Sequence, residues 1–142
     1  DIGVKYTLIG HSELRNKYNE NIDKKIKLAK KNGLKVILCI GEEEGNPIQK
    51  IEKQLENIDK DVIISYEPIW SIGTNNIPSN EEIDKIVKYI KSKGFSKVFY
   101  GGSVNEDNIE KLNEISSLDG FLIGSCTLKP DSILNMIEVV SK

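Results

Sequence analysis

Asp61-Val-Ile-Ile-Ser-Tyr-Glu-Pro-Ile-Trp-Ser-Ile-Gly-Thr74 sets one carboxylate, Glu67, at the end of an apolar run and follows it with a glycine-containing loop. Pro68 disfavours helix at the residue before it, which keeps Glu67 extended at a strand tip. Four further runs read the same way: Lys5-Tyr-Thr-Leu-Ile9, Leu34-Lys-Val-Ile-Leu-Cys-Ile40, Lys97-Val-Phe-Tyr100 and Gly120-Phe-Leu-Ile-Gly124. Each leads into a polar or glycine-rich turn, so the opening stretch is the third of five similar units.

The segments between these runs have helical period. Residues 21–31 put Ile22, Ile26 and Ala29 on one face, and residues 48–58 do the same with Ile48, Ile51, Leu55 and Ile58. A third helix is expected from Asn80, read as its N-cap, through Ile83, Ile86, Val87 and Ile90 to a stop at Gly94. Residues 108–116 carry Ile109, Leu112 and Ile115, and a last helix is expected after Pro130-Asp131 with Ile133, Leu134, Ile137 and Val140. Strands alternating with helices mean βα units and a parallel sheet. The 142 residues average roughly 28 per unit, close to the repeat of a (β/α)8 barrel. A five-stranded doubly wound sheet fits the same count, and periodicity does not choose between them.

Residues 1–142 read as a single domain, 38% hydrophobic and 30% charged, enough for one core. Twenty Lys and Arg against 22 Asp and Glu leave a net charge of −2, with the lysines dispersed along polar helix faces. A nucleic acid or an anionic membrane surface needs a basic stripe, so neither is expected as partner. Cys39 and Cys126 lack CxxC spacing and are expected reduced and buried, and a chain with one histidine is a poor source of zinc ligands. No run approaches about 18 apolar residues, and the start lacks a secretory pattern, so a cytoplasmic location is expected.

In parallel α/β folds the loops after the strands' C-terminal ends build the site. Here they read Gly10-His11-Ser12-Glu13, Gly41-Glu42, Glu67-Pro68-Ile69-Trp70, Gly101-Gly102-Ser103 and Gly124-Ser125. Glu67, with Trp70 and Ile72 folding over it, would lose water and gain basicity, which suits proton abstraction beside a carbonyl. A strand-end glutamate that caps backbone or pairs with a lysine has the same pattern. His11 precedes a helix-opening Ser12-Glu13, where a helix dipole favours the neutral imidazole as donor; a structural histidine bonded to backbone fits equally. Gly101-Gly102-Ser103 and Gly124-Ser125 offer backbone N–H groups to a dianion, although short glycine turns also arise simply because strands must turn.

Taken together, the segments Tyr6-Thr-Leu-Ile-Gly-His-Ser-Glu-Leu-Arg15, Val36-Ile-Leu-Cys-Ile-Gly-Glu42, Tyr66-Glu-Pro-Ile-Trp-Ser-Ile-Gly-Thr74, Tyr100-Gly-Gly-Ser103 and Asp119-Gly-Phe-Leu-Ile-Gly124 resemble the triosephosphate isomerase family, in order and over essentially the whole chain. The resemblance implies an α/β fold of the TIM (β/α)8 barrel type, with this chain supplying about five βα units, strands 4 to 8. It implies interconversion of dihydroxyacetone phosphate and glyceraldehyde 3-phosphate through an enediol, in glycolysis and gluconeogenesis, by a cytoplasmic homodimer without metal or organic cofactor. Glu67 then matches the base, His11 the electrophile and Glu13 a third member of the catalytic set. Pro68, Ile69, Trp70, Ser71, Ile72, Gly73 and Thr74 match the closing lid, and the N–H groups of Gly73, Ser103, Gly124 and Ser125 match the phosphate site.

Departures accompany the matches. The family's Asn-x-Lys strand, whose lysine neutralises the substrate phosphate and pairs with the residue at Glu13, has no counterpart here. Three βα units, roughly 80–100 residues, are therefore expected to be missing on the N-terminal side, with the loop that docks into the partner subunit. Ser125 stands where the family usually has glycine, Leu14 where it has arginine, and Asn75-Asn76 follows the lid. The chain alone is accordingly expected to be inactive. The alternative reading is a non-catalytic barrel fragment that acts as a folding or binding module.

Overall fold

A computed structural model describes residues 2–14, 21–43, 46–74 and 76–141; Arg15 and Asn75 lie outside the described residues. The elements are β1 (Tyr6–Ile9), α1 (Ile22–Lys31), β2 (Lys35–Ile40), α2 (Pro47–Gln54), β3 (Ile63–Tyr66), α3 (Asn80–Ser92), β4 (Val98–Tyr100), α4 (Ile109–Asn113), β5 (Gly120–Phe121) and α5 (Pro130–Val140). Single 3₁₀ turns occupy Ile69–Ser71 and Ser125–Leu128. All five expected strands form, each shorter than its apolar run. The last is cut most, to two residues, because only Phe99 and Tyr100 of β4 are there to pair with it.

The sheet is parallel throughout, in the order β1-β2-β3-β4-β5. A doubly wound sheet reverses its strand order at a switch point so that helices cover both faces. This sheet never reverses. Pleating sends alternate side chains to opposite faces, and the two faces differ sharply. The register row Ile9, Leu38, Ile64, Val98 is buried, packed with Ile26, Ile51, Ile83, Val87, Ile90, Leu112 and Met136 from the helices. In the next row Leu8 is exposed, and Ile37 and Ile63 are half-buried. Helices thus cover one face only, as on the outside of a barrel wall, which decides what periodicity left open.

Three local expectations change. The N-cap of α3 is Ser79, not Asn80. Ser79 Oγ accepts from the Glu82 N–H at 3.3 Å, and Glu82 Oε2 accepts from the Ser79 N–H at 2.9 Å. This reciprocal pair satisfies two backbone donors at once, which Asn80 in the first turn does not do. In α5 the buried positions are Ser132 and Met136, while Leu134, Ile137 and Val140 are exposed. Asp131, Asn135 and Glu138 are exposed along one face of α5, and packing against the neighbouring helix α4 covers Ser132, Met136 and Val139 in place of the expected stripe. Cys39 is buried as expected, but Cys126, in the turn after β5, is half-exposed. Among the described residues no helix is long and apolar enough to cross a membrane.

The cap gives the first expected outcome. Hydrogen bonds from Ser79, backbone first and side chain second, hold the Glu82 carboxyl below its ordinary 4.5 against a small opposing effect of burial. A carboxyl depressed in the folded state stabilises above its unfolded pKa and loses that contribution as pH falls through the folded value. Ser79→Ala should therefore cost about 1 kcal/mol at pH 7 in urea unfolding, and this penalty should shrink as the pH is taken below 4.5.

Candidate active site

The C-terminal strand ends converge on one side of the sheet. Glu67 is anchored there because its N–H donates to the Ile40 carbonyl at 2.7 Å, one step beyond the β2–β3 ladder. Its side chain is 1% exposed. His11 follows β1 through Gly10, whose φ of 77° makes the turn. Residues 12–14 open a helical turn in which the Leu14 N–H donates to the His11 carbonyl at 3.0 Å. These anchors bring His11 Nε2 to 3.9 Å from Glu67 Oε2 and His11 Nδ1 to 3.8 Å from Glu13 Oε2. Both separations exceed a hydrogen bond. The imidazole and the carboxylate thus face each other with their polar atoms turned to one place.

His11 borders a cleft of about 520 Å³, and Glu67 lies buried behind it, outside the lining. His11, Glu13, Ile72, Gly73, Ser103, Gly124 and Ser125 all line it, with Leu8, Leu122 and Ile123 as its apolar wall. Among the described residues of the lining none is lysine or arginine. A larger hollow, about 700 Å³, is lined from α1, α2 and β2 and contains none of the candidate catalytic, lid or phosphate-binding residues. The smaller cleft is the candidate site because His11, Glu13 and the two glycine-serine turns line it, with Glu67 3.9 Å behind His11.

The segment after Glu67 divides in two. Ile72 and Gly73 reach the cleft. Trp70, expected to fold over Glu67, turns its indole the other way and donates to Glu42 Oε1 at 3.2 Å. Glu42 explains the difference: it is 5% exposed, lies after β2 on the face that carries Ile40 and Tyr66, and also accepts from the Tyr66 hydroxyl at 3.1 Å. A buried carboxylate costs heavily unless donors surround it, and Trp70 is one of its donors. The Glu42 carbonyl accepts from the Ile69 N–H at 2.8 Å, tying Pro68, Ile69 and Trp70 to the end of β2. Burial first, and the Glu42 charge second, push the Tyr66 hydroxyl well above its ordinary range. It stays protonated and stays a donor.

On the far side, Ser71 is buried, its carbonyl accepts from Ser103 Oγ at 2.5 Å, and its hydroxyl lies 3.4 Å from that of Tyr100. Thr74 Oγ1 donates to the Trp70 and Ser71 carbonyls, both at 3.1 Å. The segment is thereby held to β2 by Glu42 and to β4 by Tyr100 and Ser103. Burial pushes the Tyr100 hydroxyl up to about 12. Gly41 and Gly101 are required where backbone and side chains meet. A β-carbon on Gly41 would collide with the Glu67 carbonyl, and one on Gly101 would lie 2.7 Å from Glu67 Cγ.

Reading the sequence alone missed Ser65, Tyr66, Tyr100 and the role of Glu42. Alternation offered a signal for one of them: Ser65 is a polar residue in an apolar strand, two positions before Glu67 and so on the same face. Tyr66→Phe removes a donor from a buried carboxylate. It should cost about 1–3 kcal/mol in urea unfolding, with a shift in the emission of Trp70, the only tryptophan.

The triosephosphate isomerase family model matches residues 1–140. A triosephosphate isomerase of Campylobacter concisus is 41% identical over 150 aligned residues, covering 98% of this chain and 66% of the relative. One of Campylobacter hominis is 37% identical, covering 97% and 64%, and one of Buchnera aphidicola is 42% identical, covering 97% and 65%. The chain therefore spans just under two thirds of the length of these curated relatives.

Proposed function

The chain belongs to the triosephosphate isomerase family, and on that premise we propose that it forms strands 4 to 8 of an eight-stranded barrel that interconverts dihydroxyacetone phosphate and glyceraldehyde 3-phosphate. The observation that carries the proposal is the facing pair, Glu67 Oε2 and His11 Nε2, 3.9 Å apart at the back of a cleft lined by Gly73, Ser103, Gly124 and Ser125. A glutamate base, a histidine electrophile and a closing loop are the family's own established scheme, for which it is the type case; the roles below are inherited from it.

Glu67 takes the proton from one carbon and returns it to the next. His11 polarises the carbonyl and moves protons between the two oxygens. The backbone N–H groups of Gly73, Ser103, Gly124 and Ser125 hold the phosphate, with Glu13 behind His11. Pro68 to Thr74 form the lid, and Ile72 closes over the reacting carbons to exclude the water that would let the enediol expel phosphate. Burial of Glu67 and the tethering of the lid to Glu42 and Ser103 support this reading. Glycolysis and gluconeogenesis, a cytoplasmic location and a homodimer are part of the same proposal.

Two observations bear on how much these 142 residues do alone. Among its described residues the cleft lining supplies no lysine or arginine against a phosphate dianion while contributing Glu13, with Glu67 close behind. The inner face of the sheet, at Leu8, Ile37 and Ile63, also lacks the cover that a closed barrel gives. Both support a requirement for further βα units carrying a cation, and for inactivity of this segment by itself.

In a coupled isomerase assay, the protein expressed at full length should turn over either triose phosphate, and Glu67→Gln should lower kcat by about 10²–10⁴-fold. Residues 1–142 assayed alone should stay at background. A full-length protein without isomerase activity, or with activity indifferent to Glu67→Gln, overturns the proposal.

A further inference from the structure

Ser65 sits at the middle of the sheet, between its register partners Cys39 and Phe99, and is fully buried. It is the one hydroxyl on the inner side of β3. A lone hydroxyl in an apolar strand is expensive to bury unless it is bonded. Ser65 Oγ donates to Glu67 Oε1 at 3.2 Å. The contact follows from the pleat, because residues two apart on a strand project to the same face.

Gly101, at the end of β4, makes room for the pair. A β-carbon there would lie 3.1 Å from Ser65 Oγ, 3.2 Å from Glu67 Oε1 and 2.7 Å from Glu67 Cγ. The two oxygens of the carboxylate are therefore inequivalent. Oε1 is turned toward the sheet and bonded to Ser65, while Oε2 is the one that lies toward His11.

We infer that Ser65 is a positioning residue for the Glu67 carboxylate, holding Oε1 against the sheet so that Oε2 faces His11 at the back of the cleft. The inference rests on Glu67 being the base. Ser65 touches no reacting atom, and acts by fixing the rotation of the carboxylate and by favouring its ionised form through a donated hydrogen bond. The other groups around the pair are His11, with exposed Glu13 beyond it, and buried Cys39 on β2. Glu42, Tyr66 and Tyr100 gather on the opposite side of the sheet.

The test uses Ser65→Ala, which removes the donor, and Ser65→Thr, which keeps it on a strand-favouring side chain. In the 142-residue chain labelled with ¹³C at glutamate carboxyls, the Glu67 resonance, assigned by its loss in Glu67→Gln, should titrate about one pH unit higher in Ser65→Ala, on the scale of a lost hydrogen bond to the ionised form. Ser65→Thr should restore the original midpoint. In the full-length protein Ser65→Ala should lower kcat roughly 10-fold with KM changed less than about twofold, as expected for a loosened base and intact substrate binding. The acid limb of its pH profile should move up with the carboxyl.

An unchanged Glu67 midpoint in Ser65→Ala overturns the inference, even if that variant unfolds more readily, because the hydroxyl is then a packing group only. A shifted midpoint that Ser65→Thr does not restore also overturns it. The titration needs no turnover. A full-length protein that proves not to be an isomerase would sink the proposed function and leave the Ser65–Glu67 coupling measurable in its own right.

Discussion

The pleat of β3 is the constraint on which the rest of the molecule depends. Ile64 and Tyr66 point into the helix-covered core, while Ser65 and Glu67 point to the inner side and its cleft. Because the period is two, a slip of one residue would exchange these sets, putting a carboxylate under the helices and an isoleucine in the site. The register prevents this from both sides: Ile64 is paired with Leu38 and Val98, and all three are buried. Apolar burial on one face thus holds the polar constellation on the other.

The same strand also organises two buried carboxylates in opposite directions. Glu67 is reached by Ser65 on the inner side, and Glu42 by Tyr66 and Trp70 on the helix side. Adjacent residues of β3 and the segment after it therefore serve separate acids, one facing His11 and one that anchors the segment from Pro68 to Trp70. Tyr66 suits the second task because burial keeps its proton in place and so keeps it a donor to Glu42. The first half of the segment after Glu67 is fixed to β2 and its middle to β4, while Ile72 and Gly73 border the cleft.

The sheet is covered by helices on one side only, and the cleft carries Glu13 and, among its described lining residues, no lysine or arginine. The chain belongs to the triosephosphate isomerase family and spans just under two thirds of the length of the curated relatives it matches. Apolar inner positions such as Leu8 are exposed to water at a cost.

What could be determined from sequence was local. Runs such as Val62 to Tyr66 and stripes such as Ile83, Ile86, Val87 and Ile90 announce strands and helices because burial on one side imposes a period of 2 or 3.6. His11 and Glu67 were legible for a related reason: they stand where strands end and loops begin, at positions that parallel folds reserve for chemistry. What only the tertiary structure decided was everything that depends on which side of an element is covered and by what. That includes the one-faced sheet over a doubly wound one, the outward turn of Leu134 and Ile137, Ser79 over Asn80 as the cap, the half-exposed Cys126, Trp70 turned to Glu42, and Ser65 bonded to Glu67. Periodicity measures spacing along the chain, whereas each of these is settled by contacts between residues far apart in it, where a buried polar atom finds its partner or an apolar face its cover.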